Sequence, residues 1–449
     1  MLPDDVLLET FKFYLDEDFS EDGWHTLVHV CQRWRYLVFG SPRHLDLNLR
    51  CTQTRPVREM LDIWPALPIV IWGDGSPTPG ADNITAALER NDRVCKINLW
   101  GDLTSILSRS AAVIEKPFPA LSSMDLQSSW HYKHVPVLSD PSLGGFAPRL
   151  RSIRLLFVPF PGIGKLLSST SDLVRLNLWD IPASGYISPE TMAISLSSLT
   201  QLKILCLGFY FPRLRPGLES RHSSPQNRAF LLNLTHFTFQ GLSEYLERLV
   251  AHIDAPILHS VGMTLFYEHS FDISELPQFI NRSEKFRSLN TSKADLGFLE
   301  DSVELSLSLQ TETAGIMLAL SISCFESFWP PWSLSHDFVS SLPLLATSER
   351  LDIHVEGDWD QPQLSQLQEV QWLDLLRPFT AVKNLYLSEE VALLVPPALE
   401  EVAMLPSLQN IFFEGLQPTG LVQEAIGQLA FARRLSSHPI AVHRWERSQ

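Results

Sequence analysis

The chain has 449 residues, 45% hydrophobic and 19% charged, a composition that fits a folded protein and excludes a disordered one. Thirty-five basic residues stand against fifty-one acidic ones, a formal net charge of −16. Such a surface repels phosphate backbones and anionic membranes, so neither nucleic acid nor membrane is expected as a partner. The length suits two or three domains or one long repeat array.

The first segment is helical. Pro3 is tolerated at or just before a helix start, and Asp4 or Asp5 can cap the helix that begins there. Val6, Leu7, Phe11 and Leu15 fall on one stripe. Trp24, Leu27, Cys31, Trp34 and Val38 step by three and four along a second. Between them lies an acidic connection, Asp16-Glu17-Asp18 and Glu21-Asp22, closed by Gly23. Two or three short helices in residues 1–48 cannot bury a self-sufficient core. Their apolar stripes need cover from the rest of the chain, from a partner, or from both.

Leu2-Pro3, the Leu7 to Phe11 segment, and Val30-Cys31 with Trp34 resemble the F-box, a helical module of SCF ubiquitin ligases. The resemblance covers residues 1 to 48 and departs at Thr10, where the family usually carries an aliphatic residue, and in the longer acidic loop. It implies docking of a Skp-family linker protein, and through it, indirectly, of a cullin scaffold. The implied contact residues are Leu2, Pro3, Leu7, Phe11, Val30 and Trp34, some of which would instead hold the helices together. The alternative is a plain helical cap on a repeat array. Cys31, on the Trp34 stripe, is expected as a buried, inert thiol.

Beyond Gly40-Ser41-Pro42 a theme repeats: a helical or loop segment, then a short apolar-x-apolar strand. The first is His44 to Leu49. Next come Ile69-Val70-Ile71, Ile97-Asn98-Leu99, Met124-Asp125-Leu126, Ile153-Arg154-Leu155, Leu176-Asn177-Leu178 and Leu205-Cys206-Leu207. Later members are Phe237-Thr238-Phe239, Leu305-Ser306-Leu307, Leu351-Asp352-Ile353, Leu385-Tyr386-Leu387 and Ile411-Phe412-Phe413. The spacing between Ile69 and Phe239 lies in the range of leucine-rich-repeat solenoids. The predicted fold is therefore α/β: a short all-α module over 1–48, then a leucine-rich-repeat-like horseshoe with a parallel sheet over 49–419. Residues 212–228, rich in Pro, Ser and charge, read as an exposed loop. Glu244 to His252, Ile273 to Asn281 and Gln361 to Leu376 read as helices, and Ile257 to Tyr267 as a strand. Residues 420–449, a helix and then a strand, would cap the array. From residue 44 on, the order of segments also resembles fungal F-box proteins with irregular repeats. The residues that carry this are Asn233-Leu234-Thr235-His236-Phe237 and the Ala432-Arg433-Arg434, His438-Pro439, His443, Trp445 run.

Ile69 to Asp74 matches Ile97 to Asp102, and Leu176 to Asp180 echoes both. If the aliphatic residues point inward, Trp72, Asn98, Trp100, Asn177 and Trp179 point outward, the tryptophans at equivalent positions of an aromatic ladder that could anchor a target protein. The bland alternative is that each ring packs sideways between repeats.

Catalytic chemistry is not expected. Gly162-Ile163-Gly164-Lys165 lacks the earlier glycine and the Ser or Thr of a phosphate loop, and reads as a turn. His131 and His134 have no further ligands nearby to form a zinc site, so no metal or cofactor is expected. Arg433, Arg434, Arg444 and Arg447 read as a solvated helix end. Acidic residues 4 and 5 stand where a signal peptide carries basic ones, and the apolar stretch Ala314 to Phe325 is too short to span a membrane. The Asn-x-Ser/Thr triplets at Asn83, Asn233, Asn281 and Asn290 are then chance matches. Five scattered cysteines without a Cys-x-x-Cys pair suit free, mostly buried thiols in a reducing cytoplasmic or nuclear setting, not a secreted protein. Together with the resemblance, these features imply a non-catalytic substrate-recognition subunit. The competing expectation is a repeat scaffold or recognition protein with a vestigial F-box.

Overall fold

The apolar-x-apolar segments become strands because each puts its aliphatic residues on one face, where the neighbouring strands do the same. The computed structural model describes residues 2–17, 23–41, 46–51, 56–63, 66–74, 80–128, 136–210, 228–266, 274–287, 292–299, 302–309, 316–323, 342–356, 372–392, 394–395, 399, 404–414, 421–436 and 438–446. The fold is mixed α/β, with sixteen strands in mostly parallel sheet. The chain divides into two compact units, residues 1–220 with 229–233, and residues 221–228 with 234–449.

In the first unit, helices α1 (Asp4–Glu17), α2 (Gly23–Val30) and α3 (Gln32–Gly40) precede the sheet. Seven parallel strands then come in chain order: β1 (Leu47–Arg50), β2 (Ile69–Asp74), β3 (Val94–Trp100), β4 (Ser123–Gln127), β5 (Ser152–Leu156), β6 (Arg175–Ile181) and β7 (Ile204–Phe209). Leu49, Ile71, Ile97, Met124, Ile153, Leu176 and Leu205 stand opposite one another from β1 to β7, all buried. Each such side chain contributes about 1.5–3 kcal/mol by leaving water. The chain returns between strands through α4 (Val57–Ile63), α5 (Gly80–Leu88), α6 (Thr104–Ile114), α7 (Ile163–Ser168) and α8 (Pro189–Leu196). Ser188 caps α8 by accepting the Thr191 N–H at 3.2 Å, with Pro189 in the first turn. Gly162 opens α7, so the Gly162 to Lys165 segment begins a helix instead of forming a turn.

The second unit breaks the one-strand-per-repeat expectation. β8 (His236–Leu242) and β9 (Ser260–Phe266) are parallel. The chain then builds a meander of β10 (Ser292–Phe298), β11 (Ser302–Leu309) and β12 (Ile316–Ser323). β11 runs antiparallel to both its neighbours. β12 pairs with β9, while β10 pairs with β13 (Ser348–Val355). β14 (Asn384–Leu387), β15 (Asn410–Glu414) and β16 (Ala441–Trp445) continue in parallel. The apolar Ala314 to Phe325 stretch thus holds an interior strand, and Leu305 to Leu307 lies on the antiparallel one. Among the described residues of this unit the α-helices are α9 (Ser243–His252), α10 (Glu275–Arg282), α11 (Glu284–Arg287), α12 (Trp372–Leu376) and α13 (Leu421–Leu435).

Arg433 on α13, expected at a solvated helix end, is fully buried. Its guanidinium donates to the Leu399 and Met404 carbonyls at 3.0 and 2.5 Å, and burial lowers its pKa. Most of the 212–228 loop, most of the 361–376 helix and both His131 and His134 lie outside the described residues.

Candidate functional site

The N-terminal helices separate their apolar side chains into two sets. Leu7, Leu8, Phe11, Leu27, Val28 and Val38 are buried, and the Phe11 and Trp34 rings meet at 4.6 Å, so Trp34 is half-buried. Val6, expected on the Leu7–Phe11 stripe, is exposed, and Leu8 takes its place in the interior. Leu2 (57% exposed), Val30 (55%) and Tyr36 (72%) also remain in solvent. Pro3 is exposed as well. Arg33 donates to the Leu2 carbonyl at 2.7 Å and pairs with Asp4, which fixes the start of α1 at the α2–α3 junction beside Val30.

The stripe from Trp24 to Val38 is not one continuous helix face. Residue 31 is extended, with φ −159° and ψ 167°, and its sulfur accepts the Trp34 N–H at 3.5 Å to cap α3. Cys31 is therefore exposed, not buried, because a cap sits outside the helix it starts. Cys51 is buried, and Cys95 and Cys206 are half-buried. Burial, reinforced by nearby Asp46, pushes the Cys95 thiol up to about 12, which leaves it protonated and unreactive.

On the sheet of the first unit, Trp72, Asn98, Asn177 and Trp179 are half-buried and Trp100 is 44% exposed. The tryptophans do not form one ladder. The β2–β3 pairing, with an irregularity at Ile69/Val70, sets Trp72 opposite Asn98, and Asp74 opposite Trp100. Trp72 and Trp100 still touch across the diagonal, edge to face, with centroids 6.3 Å apart. Asn98 continues through Asp125 and Arg154 to Asn177, and Trp100 continues through Gln127 and Leu156 to Trp179. Two strands thus separate Trp100 from Trp179. The Trp179 ring lies over Gly208 of β7, where a Cβ would approach its Cε3 to 2.8 Å. That is the sideways packing anticipated as the alternative. The Asn177 side-chain oxygen is buried without a hydrogen-bond partner among the described residues.

The second unit carries a cluster that the sequence pattern did not assemble. On β13 and just beyond it, Arg350, Asp352, His354 and Glu356 stand at alternate positions. Arg350 grips Asp352 through two bonds of 2.7 and 2.8 Å. Lys293 of β10 reaches Asp352 at 2.8 Å and Asp295 at 3.1 Å. His354 lies 3.0 Å from Asp295 through Nδ1 and 3.1 Å from Glu356 through Nε2. Both ring nitrogens face carboxylates, so neither can serve as the general base of a nucleophile.

Burial works against the charges of Lys293, Arg350 and Asp295, but their partners outweigh it. Desolvation lowers Lys293, yet its bonds and attraction to Asp352 and Asp295 leave it raised. Desolvation likewise lowers Arg350, and Asp352 more than compensates. Desolvation raises Asp295, and His354 with Lys293 brings it below the ordinary carboxylate value.

An aromatic row continues the cluster across the sheet. The Arg350 guanidinium carbon sits 3.8 Å from the Tyr386 ring centroid. Tyr386 stacks on Phe412 at 4.3 Å and 5°, and Phe412 on His443 at 4.9 Å. Trp445 stands edge-on to Tyr386 at 5.2 Å. A pocket of about 310 Å³ opens between the charged groups and the two rings Tyr386 and Trp445.

Among the described residues, no group of three His, Cys, Asp or Glu could hold a metal ion, and no helix is long and apolar enough to cross a membrane. The class these elements define is a mixed α/β protein with a large, mostly parallel sheet, compatible with a repeat solenoid. No protein-family model matches the chain, and no curated protein matches it.

Proposed function

We propose that this chain is a non-catalytic substrate-recognition subunit of an SCF-type ubiquitin ligase. Helices α1–α3 dock a Skp-family linker and, through it, a cullin scaffold; the leucine-rich-repeat-like array behind them holds a target protein. The chain contributes proximity and orientation, with no bond chemistry of its own. The observation that carries this reading is the set of apolar residues that the helical module leaves exposed, Leu2, Val6, Phe13, Tyr14, Val30, Tyr36 and Phe39, around an interior of Leu7, Leu8, Phe11, Leu27, Val28 and Val38. An apolar surface rimmed by polar groups marks an interaction site, and the resemblance of Leu2-Pro3 and Val30-Cys31 with Trp34 to the F-box names the partner.

The two sets divide the work. Leu7, Phe11 and, in part, Trp34 hold the helices together; Leu2, Pro3 and Val30 are the contacts. Trp72, Asn98 and Trp100 line one candidate target surface, with Trp100 the most accessible anchor, while Trp179 packs against Gly208 and the Asn177 oxygen is buried.

Co-purification and calorimetry with a Skp-family linker test the proposal. The intact chain is expected to bind, and Leu2→Asp with Val30→Asp to lose at least tenfold in affinity without a change in Tm. No binding at micromolar concentration would leave a repeat scaffold with a vestigial F-box.

A further inference from the structure

The chain as a whole is acidic, with a net charge of −16, but one stretch of the first unit reverses the balance. Between residues 149 and 203 six basic residues stand against three acidic ones. Four of the six, Arg149, Arg151, Arg175 and Lys203, lie at or just before the starts of β5, β6 and β7, and all four are exposed. The same three entries contribute one acidic residue, Asp172.

Backbone bonds set these positions side by side. The Val174 and Arg175 N–H groups both donate to the Arg151 carbonyl, at 2.8 and 3.0 Å, and the Lys203 N–H donates to the Val174 carbonyl at 2.9 Å. Neighbouring strands lie about 4.8 Å apart, so β5 to β7 span about 10 Å, the length of three residues of extended chain.

The arginines of this margin differ from others in the unit. Arg58, Arg90 and Arg109, on or beside the helices, each pair with a carboxylate at 2.7–2.8 Å. Lys96 is held by Asp46 at 3.4 Å, and Arg154 by Asp125 at 3.8 Å. Among the described residues, the side chains of Arg149, Arg151 and Arg175 have no such partner. A guanidinium carries five donors in a planar fork that matches a carboxylate. Arg175 also heads an outward row, Arg175–Ser152–Ser123–Lys96, whose two hydroxyls lie between the basic ends. That row runs two residues before the row of Asn98, which continues to Trp72 on β2.

The arrangement selects its partner by charge and by length. Several separate guanidiniums in a line reward carboxylates linked on one chain, because each contact raises the effective concentration of the next. A nucleic-acid strand carries its charge far beyond 10 Å and meets the acidic remainder of the surface.

We propose that the entry margin of β5–β7 docks a short acidic polypeptide segment, two or three Asp or Glu side chains in a run, on Arg149, Arg151, Arg175 and Lys203. As the chemistry of the ligase target it rests on the substrate-receptor reading; as an acidic-segment site it does not. Linker binding without peptide binding overturns this inference alone, and peptide binding without linker binding overturns the ligase reading alone.

The experiment is NMR titration of acetyl-Ser-Glu-Glu-Glu-Gly-amide with the full chain, beside peptides carrying Gln or Lys in place of Glu and a short single-stranded DNA. The Glu peptide is expected to bind saturably in 50 mM NaCl and at least fivefold more weakly in 300 mM, because screening shortens the reach of exposed charges. The Gln, Lys and DNA probes are expected to bind at least tenfold more weakly. Arg151→Gln with Arg175→Gln is expected to lower Glu-peptide affinity at least fivefold with Tm unchanged, since both side chains are exposed. Arg109→Gln, which removes one positive charge from the helical layer, is expected to change it less than twofold. No saturable binding of the Glu peptide at millimolar concentration overturns the proposal. So does affinity unchanged by the Arg151 and Arg175 changes, an equal loss from Arg109→Gln, or tighter binding of the Gln peptide or the DNA.

Discussion

Asp352→Ala probes the second unit's charge cluster most directly. The Asp352 side chain is 9% exposed and accepts three charge-assisted bonds, two from Arg350 and one from Lys293. Such bonds contribute about 1.5–3 kcal/mol each when one partner is charged. The gross loss is not the net one. Lys293 keeps Asp295, Arg350 keeps the Tyr386 face, and both cations are 30% exposed, so water recovers part of the loss. The expected cost is about 2–3 kcal/mol, below the roughly 3–5 kcal/mol of breaking a fully buried pair. In a unit of this size each kcal/mol shifts Tm by about 2–4 °C, so thermal unfolding is expected to fall by about 4–12 °C. Because the damage is stranded charge, a Lys293→Met, Arg350→Met, Asp352→Leu triple variant is expected to recover at least half of it. A loss under about 0.5 kcal/mol for Asp352→Ala, the level of an exposed pair, would refute the reasoning. A triple variant no more stable than the single one would refute it too.

Three further outcomes are expected. Asp295 is held below its ordinary value of 3.8, so its stabilisation is complete above about pH 4 and is lost as pH falls through the lowered value; Tm of the wild type should drop more steeply below pH 4 than that of Asp295→Asn. Glu247 on α9 accepts the Glu275 and Leu276 N–H groups at 2.5 and 2.9 Å and so caps α10, and Glu247→Ala is expected to cost about 2 kcal/mol by urea unfolding. Gly208→Ala is expected to cost about 1–3 kcal/mol because the new Cβ meets the Trp179 ring. Less than additive loss in the Trp179→Ala, Gly208→Ala double variant would confirm that contact, and strict additivity would deny it.

Strand identity was legible in the sequence because a sheet face imposes period two on one short segment, and that segment carries the pattern whatever it pairs with. The inward positions needed no partner to be recognised: Ile97, Leu126, Ile153 and Leu178 are buried as their alternation requires. The cap at Cys31 was less legible, because three- and four-residue steps run across a helix break as readily as along one helix. The outward residues Arg350, Asp352, His354 and Glu356 were also in plain sight, every second residue ionisable along β13 and one step past it. Pairing was not legible. The β2–β3 register that sets Trp72 opposite Asn98, off the Trp100 row, and the meander that returns β10 to β13, are choices between partners far apart in the chain. Local alternation is the same for every choice, so only packing decides among them. Lys293 meets Arg350, and Tyr386 meets Trp445, through that decision alone: the sequence determined which side chains face outward, and the tertiary structure determined which of them share a pocket.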